Sequence, residues 1–361
     1  MTAANSEVPS TMHAAVYRGQ GIVAVEEVET PRIQPGEILI RVEACGVCHT
    51  DLKKVEYDLL PPPRIYGHET AGIVAQAGES VSAFAPGDRV VVFHHIPCRG
   101  CFYCLRKLYA QCPVYKKVGV TAGFEPAGGG FSQYVRVMDW IVRGGVEKIP
   151  GGVSFEQASF VEPLNTCLKA VHTSGAGPGD VALVMGQGPI GLLFTMLLAD
   201  RGTRVVATDT IPSRLALSLE CGAERSFDPR KTDAAAELKS LTAGRGADVV
   251  FVATAAKGLV EAAVDASRPG AKICLFAQTS GKERIELSGA GICVGERTLF
   301  GSYSASVDLQ KESAALVFGG RLPLARLISH RMPLARIGEA FDLATHPTDN
   351  SLKVIVQCNS R

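Results

Sequence analysis

Two groups of potential metal ligands in the first third of the chain restrict its fold most strongly. One group consists of four cysteines with the spacing C-x2-C-x2-C-x7-C, which are Cys98, Cys101, Cys104 and Cys112. The other consists of Cys48 and the adjacent pair His68 and Glu69. Four thiolates suit a closed, tetrahedral structural zinc site, whereas sulfur, imidazole and carboxylate together suit a zinc ion with an open position for chemistry. The sequence therefore predicts a metal-assisted enzyme with two zinc sites per chain.

The four cysteines could instead form two disulfides or belong to a nucleic-acid-binding zinc ribbon. Thiols three residues apart on short turns favour convergence on a metal ion, and residues 1–19 lack the basic start and apolar core of a secretory signal. A zinc ribbon would need a second C-x2-C pair about 15 to 20 residues further on and a basic surface. The sequence has no such pair, and its net charge is only +1. A structural zinc site is the favoured interpretation.

Length and charge restrict the number of domains and the class of partner. A chain of 361 residues predicts about two domains at ~150 residues per domain. The small net charge argues against nucleic acid or an anionic membrane as a partner. The most apolar stretch, residues 181–199, is interrupted by the letters GQGPIG, which break any membrane helix of about 20 residues. We therefore expect a cytoplasmic protein whose eleven cysteines are reduced.

The hydrophobic pattern changes near residue 165. Before that point, short β-like runs separated by Gly and Pro predict antiparallel, partly barrel-like strands, at 14–17, 37–43, 71–77, 89–93 and 132–137. After it, strands and helices alternate, which predicts βαβ units with a parallel sheet, at 182–185, 190–200, 204–209, 213–221, 248–254, 259–266 and 271–276. Helices at 309–318 and 337–345 and a strand at 353–357 follow, and this tail is expected to return to the first domain.

A glycine-rich turn between a strand and a helix indicates a dinucleotide site. The turn has the pattern G-x-G-x-x-G, with Gly186, Gly188, Pro189, Ile190 and Gly191. Glycine permits the tight turn and the close approach of a pyrophosphate to the helix N-terminus. The next strand ends at Asp209, where a carboxylate would bind the ribose hydroxyls and repel a 2′-phosphate. We therefore favour NAD over NADP, although the neighbouring Arg214 could accept a phosphate or be a solvated helix-start arginine.

Several ordered motifs together resemble the zinc-containing medium-chain dehydrogenases over essentially the whole chain. The matching segments are CHTD at 48–51, GHETAG at 67–72, the four-cysteine lobe at about 94–115, VEPL at 161–164 and the GQGPIG turn. VEPL and the acidic neighbour of His68 are most similar to the polyol dehydrogenase branch. The resemblance implies a catalytic zinc bound by Cys48 and His68, with Glu69 and Glu162 supplying a ligand directly or through water. It also implies a structural zinc on the four cysteines.

The same resemblance implies an α/β architecture. Residues 1–164 and 302–361 would form a GroES-like β-rich catalytic domain, and residues 165–301 a Rossmann domain that binds NAD. The active site would lie in the cleft between them, and the protein would be a homodimer or homotetramer.

Family roles can be assigned to residues near Cys48. Thr50 would pass the alcohol proton outward, Asp51 would orient the ring of His68, and His49 would lie near the cofactor pyrophosphate. Thr50 and Asp51 could also be an ordinary turn or capping pair. Many relatives carry a relay histidine where this chain has Lys53. A lysine is a poor proton acceptor at neutral pH unless it is buried, so either water carries the proton or this lysine is exposed.

The expected substrate pocket contains Tyr57, His94 and His95. Adjacent histidines favour a polyol, sugar or amino alcohol over a long aliphatic chain, but either could be a strand-end residue facing solvent. The leading hypothesis is a zinc dehydrogenase that oxidises a secondary alcohol with NAD. The closest alternatives are threonine, suggested by the letters HIPC at 95–98, or an NADP-linked alcohol dehydrogenase. A catalytically silent dinucleotide-binding protein that keeps only the structural zinc is the alternative from another class.

Overall fold

The computed structural model describes residues 8–115, 128–277, 284–348 and 350–359. The chain divides into two compact units. Unit 1 consists of Met1–Pro163 and Ala305–Arg361, and unit 2 consists of Leu164–Ser304. Both chain ends therefore belong to one unit, and the second is formed by a single continuous segment.

The strands of the described ranges are, in chain order, β1 (Thr11–Gly19), β2 (Ile22–Glu29), β3 (Ile38–Gly46), β4 (Arg64–Ile65), β5 (Glu69–Ala77), β6 (Arg89–Val92), β7 (Tyr134–Val137), β8 (Val146–Lys148), β9 (Val181–Met185), β10 (Arg204–Thr208), β11 (Arg225–Phe227), β12 (Ala247–Val252), β13 (Ser267–Leu275), β14 (Thr298–Gly301), β15 (Ile328–Pro333) and β16 (Lys353–Gln357). The helices are α1 (His49–Glu56), α2 (Asp139–Gly145), α3 (Phe155–Ala158), α4 (Val161–Ser174), α5 (Pro189–Asp200), α6 (Pro212–Glu220), α7 (Ala234–Leu241), α8 (Leu259–Ala266), α9 (Gly289–Cys293), α10 (Gln310–Phe318) and α11 (Ile337–Thr345).

Unit 1 is built on a seven-stranded sheet in the order β15-β16-β3-β5-β6-β8, with β7 also paired to β3. The pairings are antiparallel except that between β15 and β16. A smaller sheet has the order β2-β1-β4. Because β16 pairs directly with β3, the C-terminal segment completes a sheet begun by the N-terminal one. The expected return of the tail to the first domain is thus a strand pairing.

Unit 2 is a six-stranded parallel sheet in the order β11-β10-β9-β12-β13-β14. All five residues of β9 are buried, as expected for a parallel strand covered on both faces. The strand order reverses direction between β9 and β12, which is the topological switch point where doubly wound sheets bind ligands. The predicted parallel sheet is confirmed, and α5 starts with Pro189 at a position where proline favours a helix N-terminus.

The structure also contains elements that the pattern did not predict. Strand β2, with the sequence IVAVEEVE, was missed because three of its last four residues are glutamates, which hide the alternation. Strand β13 begins at Ser267 rather than at the predicted residue 271, because Pro269 and Gly270 lie inside it and look like a turn. Helix α4 was not predicted, although proline in a first helical turn is well tolerated. Among helices of the described ranges, none is long and apolar enough to cross a membrane.

A partly buried ion pair joins β7 to the start of β3. Arg136 donates from Nε and Nη2 to the two carboxylate oxygens of Glu37, at 2.6 and 2.8 Å. The backbone N–H of Gln34 donates to the same carboxylate at 2.7 Å. Burial alone would raise the pKa of Glu37, but the guanidinium and the backbone donor together lower it. The charged carboxylate therefore stabilises the fold.

We expect Glu37→Gln to lower the free energy of unfolding by about 2 kcal/mol at pH 7, because Arg136 loses a charged partner. A carboxyl whose pKa is depressed on folding stabilises the protein above its unfolded pKa, and this stability is lost as the pH falls through the folded value. The difference between the variant and the wild type should therefore shrink in acid. Urea unfolding at pH 7 and at lower pH measures both effects. Glu339→Gln, which removes an exposed pair with Arg336, is the control and should leave the free energy of unfolding unchanged. Equal unfolding curves for the wild type and both variants would contradict the expectation.

Candidate active site

Strand pairing brings the second ligand group together. Glu69 is the first residue of β5 and pairs in register with Gly46, the last residue of β3. Cys48 lies two residues further on as the N-cap of α1, where its sulfur accepts the N–H of Thr50 at 3.5 Å. One ligand atom each from Cys48, His68 and Glu69 lies within 4.8 Å of the others. A sulfur, a nitrogen and an oxygen donor therefore converge in unit 1.

The imidazole of His68 is held by a buried carboxylate. Its Nδ1 lies 3.0 Å from Oδ1 of Asp51, an aspartate with no exposed surface. Since a carboxylate accepts hydrogen bonds, Nδ1 carries the proton and Nε2 is left to bind a cation. Burial alone would lower the pKa of His68, but the negative charges of Asp51 and Cys48 raise it well above its usual value. The site thus stabilises positive charge at this position, which fits a metal cation.

Lys353, which no sequence motif indicated, pairs with Glu69. Its Nζ lies 2.6 Å from Oε1 and 2.5 Å from Oε2 of Glu69, and it donates to the carbonyl of Val47 at 2.9 Å. A Cβ added at Gly46 would lie 2.0 Å from Oε2 of Glu69, so glycine is needed there to admit the carboxylate. Burial alone would lower the pKa of Lys353, but the charge of Glu69 raises it. Lysine and glutamate therefore form a charged pair beside Cys48 and His68.

Glu162 lies outside the group formed by Cys48, His68 and Glu69. It is in the first turn of α4, and its Oε1 is 2.9 Å from Nε2 of His95. The alternative that His94 or His95 faces solvent is wrong, because they are 1% and 5% exposed. Their ring centroids are 3.9 Å apart, and the ring of His94 is 5.6 Å from that of His68. Burial lowers the pKa of both histidines. Two neutral imidazoles therefore lie beside the candidate metal ligands.

The remaining predicted residues of this region differ in exposure. Thr50 is half-buried, His49 is exposed, and Tyr57 is 60% exposed. Lys53 is half-buried, whereas its neighbour Lys54 is buried. Burial lowers the pKa of Lys54 to about 8, although negative charges at Asp51, Cys48 and Glu162 oppose the shift. The sequence signal for Lys54 was its position three residues after Asp51, which places both on one face of α1.

The four-cysteine group has the geometry of a zinc site. Cys98, Cys101, Cys104 and Cys112 each offer a sulfur within 4.8 Å of the others. The sulfur of Cys104 lies 3.9 Å from that of Cys98 and 3.5 Å from that of Cys101. A tetrahedral zinc ion with Zn–S bonds of about 2.3 Å separates its sulfurs by about 3.8 Å, whereas a disulfide needs about 2.05 Å. Burial alone would raise the pKa of Cys112, but N–H donors, that of Cys98 first, lower it to about 6. A thiolate set suits zinc.

The glycine turn of unit 2 is compact where the helix packs and open where a ligand would lie. Gly186 has φ of +91°, and a Cβ at Gly191 would lie 1.8 Å from the carbonyl oxygen of Gly186. A Cβ at Gly188 would meet, among the described residues within 4 Å, only Nη1 of Arg214, at 4.0 Å. The space in front of α5 is therefore available to a pyrophosphate.

Asp209 supports this turn with its own carboxylate. Oδ2 accepts the N–H of Gln187 at 2.6 Å, and Oδ1 accepts the N–H of Ile211 at 2.9 Å. An ionised carboxylate has about four acceptor positions, so two remain after these bonds. The turn, the open space at Gly188 and the acidic strand end together fit a dinucleotide.

Comparison with known proteins identifies the family of the chain. Residues 34–146 match the family model of the alcohol dehydrogenase GroES-like domain, and residues 189–318 match that of the zinc-binding dehydrogenases. The (R,R)-butanediol dehydrogenase of Neisseria gonorrhoeae (strain ATCC 700825 / FA 1090) is 30% identical to this chain, covering 96% of it and 100% of the relative. The chain belongs to the zinc-containing medium-chain dehydrogenases.

Other relatives of this dehydrogenase agree with that assignment. The sorbitol dehydrogenase of Bacillus subtilis (strain 168) is 29% identical, covering 98% of this chain and 99% of the relative. The solved structure of a putative zinc-binding dehydrogenase from Sinorhizobium meliloti 1021, bound to NADP, is 28% identical to this chain with a TM-score of 0.87. The match covers 97% of this chain and 100% of the Sinorhizobium chain. The predicted family and fold class are confirmed. The protein is an oxidoreductase of the zinc alcohol dehydrogenase family, with zinc, a nicotinamide cofactor and a small alcohol substrate.

Two glycines of the turn allow packing and ligand binding to be separated by mutation. Gly191→Ala should lower the thermal unfolding midpoint, because its Cβ would overlap the carbonyl oxygen of Gly186. Gly188→Ala should leave that midpoint nearly unchanged but weaken NADH binding by about tenfold or more, because its methyl group occupies the space of the pyrophosphate. NADH fluorescence titration and thermal unfolding measure the two effects. Wild-type affinity in Gly188→Ala would show that the pyrophosphate does not lie at this turn.

Proposed function

We propose that this dehydrogenase oxidises a secondary alcohol of a polyol, sugar or cyclitol to the ketone and transfers the hydride to NAD. The observation that carries the proposal is the convergence of Cys48, His68 and Glu69 in a chain that also has the dinucleotide turn. The names of the related sorbitol and butanediol dehydrogenases support a polyhydroxy substrate. A silent dinucleotide-binding protein is disfavoured, since it would have no use for a buried mixed-donor metal site.

The residues around Cys48 and His68 have defined parts in this reaction. Zinc bound there would lower the pKa of the substrate hydroxyl and stabilise the developing alkoxide. Asp51 holds the proton on Nδ1 of His68, so that Nε2 faces the sulfur side of the site. Thr50 lies two residues after Cys48 and would accept the hydroxyl proton of the alcohol while passing its own proton outward. Glu69 and Glu162 each carry a carboxylate that would ligate the metal directly or through water.

The polar character of the surroundings supports the choice of substrate. His94 and His95 are neutral and buried, and Lys54 is a buried cation within electrostatic range of both. Hydroxyl groups can donate to or accept from such side chains, whereas a long alkyl chain cannot. The segment 95–98, HIPC, keeps the amino alcohol threonine as the second candidate substrate.

We favour NAD as the cofactor and propose two zinc ions per subunit. Asp209 has acceptor positions left for ribose hydroxyls, and its charge would repel a 2′-phosphate. NADP is the second candidate, because Nη1 of Arg214 lies near Gly188 and a similar solved structure is bound to NADP. We further propose that the protein is cytoplasmic and forms a homodimer or homotetramer. Sedimentation analysis would distinguish the two oligomeric states.

A substrate and metal assay tests the proposal. We expect purified protein to contain about two zinc ions per chain and to reduce NAD at 340 nm with polyols, sugars or inositols, more efficiently than with threonine or simple alcohols. NADP should be reduced with a lower kcat/KM. One zinc ion per chain and no turnover with either cofactor would instead support the silent binding protein.

Two cysteine variants assign the zinc ions to their sites. Cys48→Ser should lose one zinc ion and turnover, with a nearly unchanged unfolding midpoint, because the site lies on an already complete sheet. Cys112→Ser should lose the other zinc ion and lower the midpoint, because the lobe has only a small core of its own. Zinc analysis and thermal unfolding of both variants give the comparison. Loss of both ions from either variant would contradict the assignment to two separate sites.

A further inference from the structure

A buried chain of contacts leads from Glu162 to a tyrosine outside the described catalytic group. Nε2 of His95 lies 2.9 Å from Oε1 of Glu162, and Nδ1 of His95 lies 2.6 Å from the hydroxyl of Tyr115. The three side chains are 5%, 5% and 3% exposed, in the order Glu162, His95 and Tyr115. Both nitrogens of one imidazole are therefore engaged away from bulk water.

The chemistry of the three groups fixes the direction of these hydrogen bonds. An ionised carboxylate only accepts, so Nε2 of His95 must carry the proton that faces Glu162. In a neutral imidazole Nδ1 is then an acceptor, and the Tyr115 hydroxyl donates to it. The His95 ring also stacks on Phe93, with centroids 5.0 Å apart. The ring is therefore held by packing, by the hydrogen bond from Tyr115 at Nδ1 and by the 2.9 Å contact of Nε2 with Glu162.

The position of Tyr115 depends on the four-cysteine lobe. It follows Cys112 by three residues, and its backbone N–H is one of the donors to the sulfur of Cys112. The tyrosine also packs with the buried cysteines of the lobe, Cys104 and Cys112. The lobe thus holds the backbone from which the hydroxyl reaches His95.

We propose that Tyr115 is a positioning residue of the active site. By donating to Nδ1 of His95 it keeps the imidazole proton on Nε2, where it faces Glu162 and restrains one oxygen of that carboxylate. The other oxygen is then left for the metal, its bound water or a substrate hydroxyl. The contact with His95 occupies one lone pair of Oε1 and so favours metal binding through the other oxygen. The effect on catalysis rests on the proposed function, whereas the effect on the metal site does not.

The role of Tyr115 makes the four-cysteine lobe part of the support for the active site. The connection runs by hydrogen bonds from the sulfur of Cys112 through Tyr115 to His95, and by a 2.9 Å ion-pair contact from His95 to Glu162. All of these residues belong to unit 1. A zinc ion in the lobe would therefore help to orient a carboxylate beside the catalytic ligands as well as stabilise the local fold.

Tyr115→Phe tests the proposal, with Tyr109→Phe as the matched control. Tyr109 is in the same lobe, and its hydroxyl donates to Asp308 at 2.9 Å instead of to a histidine. We expect Tyr115→Phe to lower kcat/KM for the best alcohol by about tenfold, because a buried acceptor loses its donor. It should also change the visible absorption of enzyme with cobalt in the catalytic site, which reports metal geometry. Tyr109→Phe should do neither, and equal behaviour of the two variants in both measurements would overturn the proposal.

A double-mutant cycle keeps the test decisive if Tyr115→Phe also loosens the lobe. In His95→Gln the amide N–H can donate to Glu162 without help from Tyr115. Adding Tyr115→Phe to this variant should therefore change kcat/KM by less than threefold and leave the cobalt spectrum unchanged. Additive effects would mean that Tyr115 acts independently of His95 and would overturn the proposal. If the wild type turned over no alcohol, the proposed function would fail, while the cobalt spectra of the same variants would still decide the positioning role.

Discussion

The antiparallel pairing of β3 with β5 is the constraint on which the candidate active site depends. Its register places Glu69 opposite Gly46, and the chain then turns at Cys48 into α1. A shift by one residue would move the side chains of β5 to the opposite face of the sheet. Strand β16 pairs with the same end of β3 and contributes Lys353. One strand end thus brings together residues separated by about 300 positions in the sequence.

Charge balance explains why these residues can be buried together. Asp51 and Glu69 are carboxylates with almost no exposed surface, and Cys48 adds a thiol that favours metal as a thiolate. Burying such groups is costly unless cations or hydrogen bonds compensate. Lys353 and Lys54 provide part of the compensation from within the chain. The raised pKa of His68 reflects the negative charge that remains, which a divalent cation would offset.

The candidate dinucleotide site of unit 2 likewise depends on a few residues. Asp209 orders the glycine turn by accepting two backbone N–H groups and keeps acceptor positions for a ligand. Gly186 is required by its positive φ and by the nearby side chain of Thr254, and Gly191 by the carbonyl oxygen of Gly186. Gly188 is different, because the space above it is open. The turn is therefore rigid where the protein packs against itself and accessible where a pyrophosphate would bind.

The sequence by itself determined the elements whose signals are local. The four central strands of the parallel sheet, three of its helices and the glycine turn follow from periodicity and turn chemistry, whereas β11, β14 and α7 were not predicted. The four-cysteine spacing fixes one set of ligands within a single short segment. Strand β2 and helix α4 were not predicted, because their local patterns are ambiguous and packing decides their conformation. The family resemblance named Cys48, His68 and Glu69 together, but spacing alone could not show that their ligand atoms converge.

Only the tertiary structure decided which distant residues complete the site. Lys353 is far from Glu69 in the sequence and reaches it through the pairing of β16 with β3. Tyr115 and Glu162 meet at His95 because separate segments pack against one buried ring. Burial likewise distinguished Lys54 from Lys53, for which the sequence offered only the spacing of Lys54 from Asp51. Such pairings depend on long-range packing, and no local pattern in the chain encodes them.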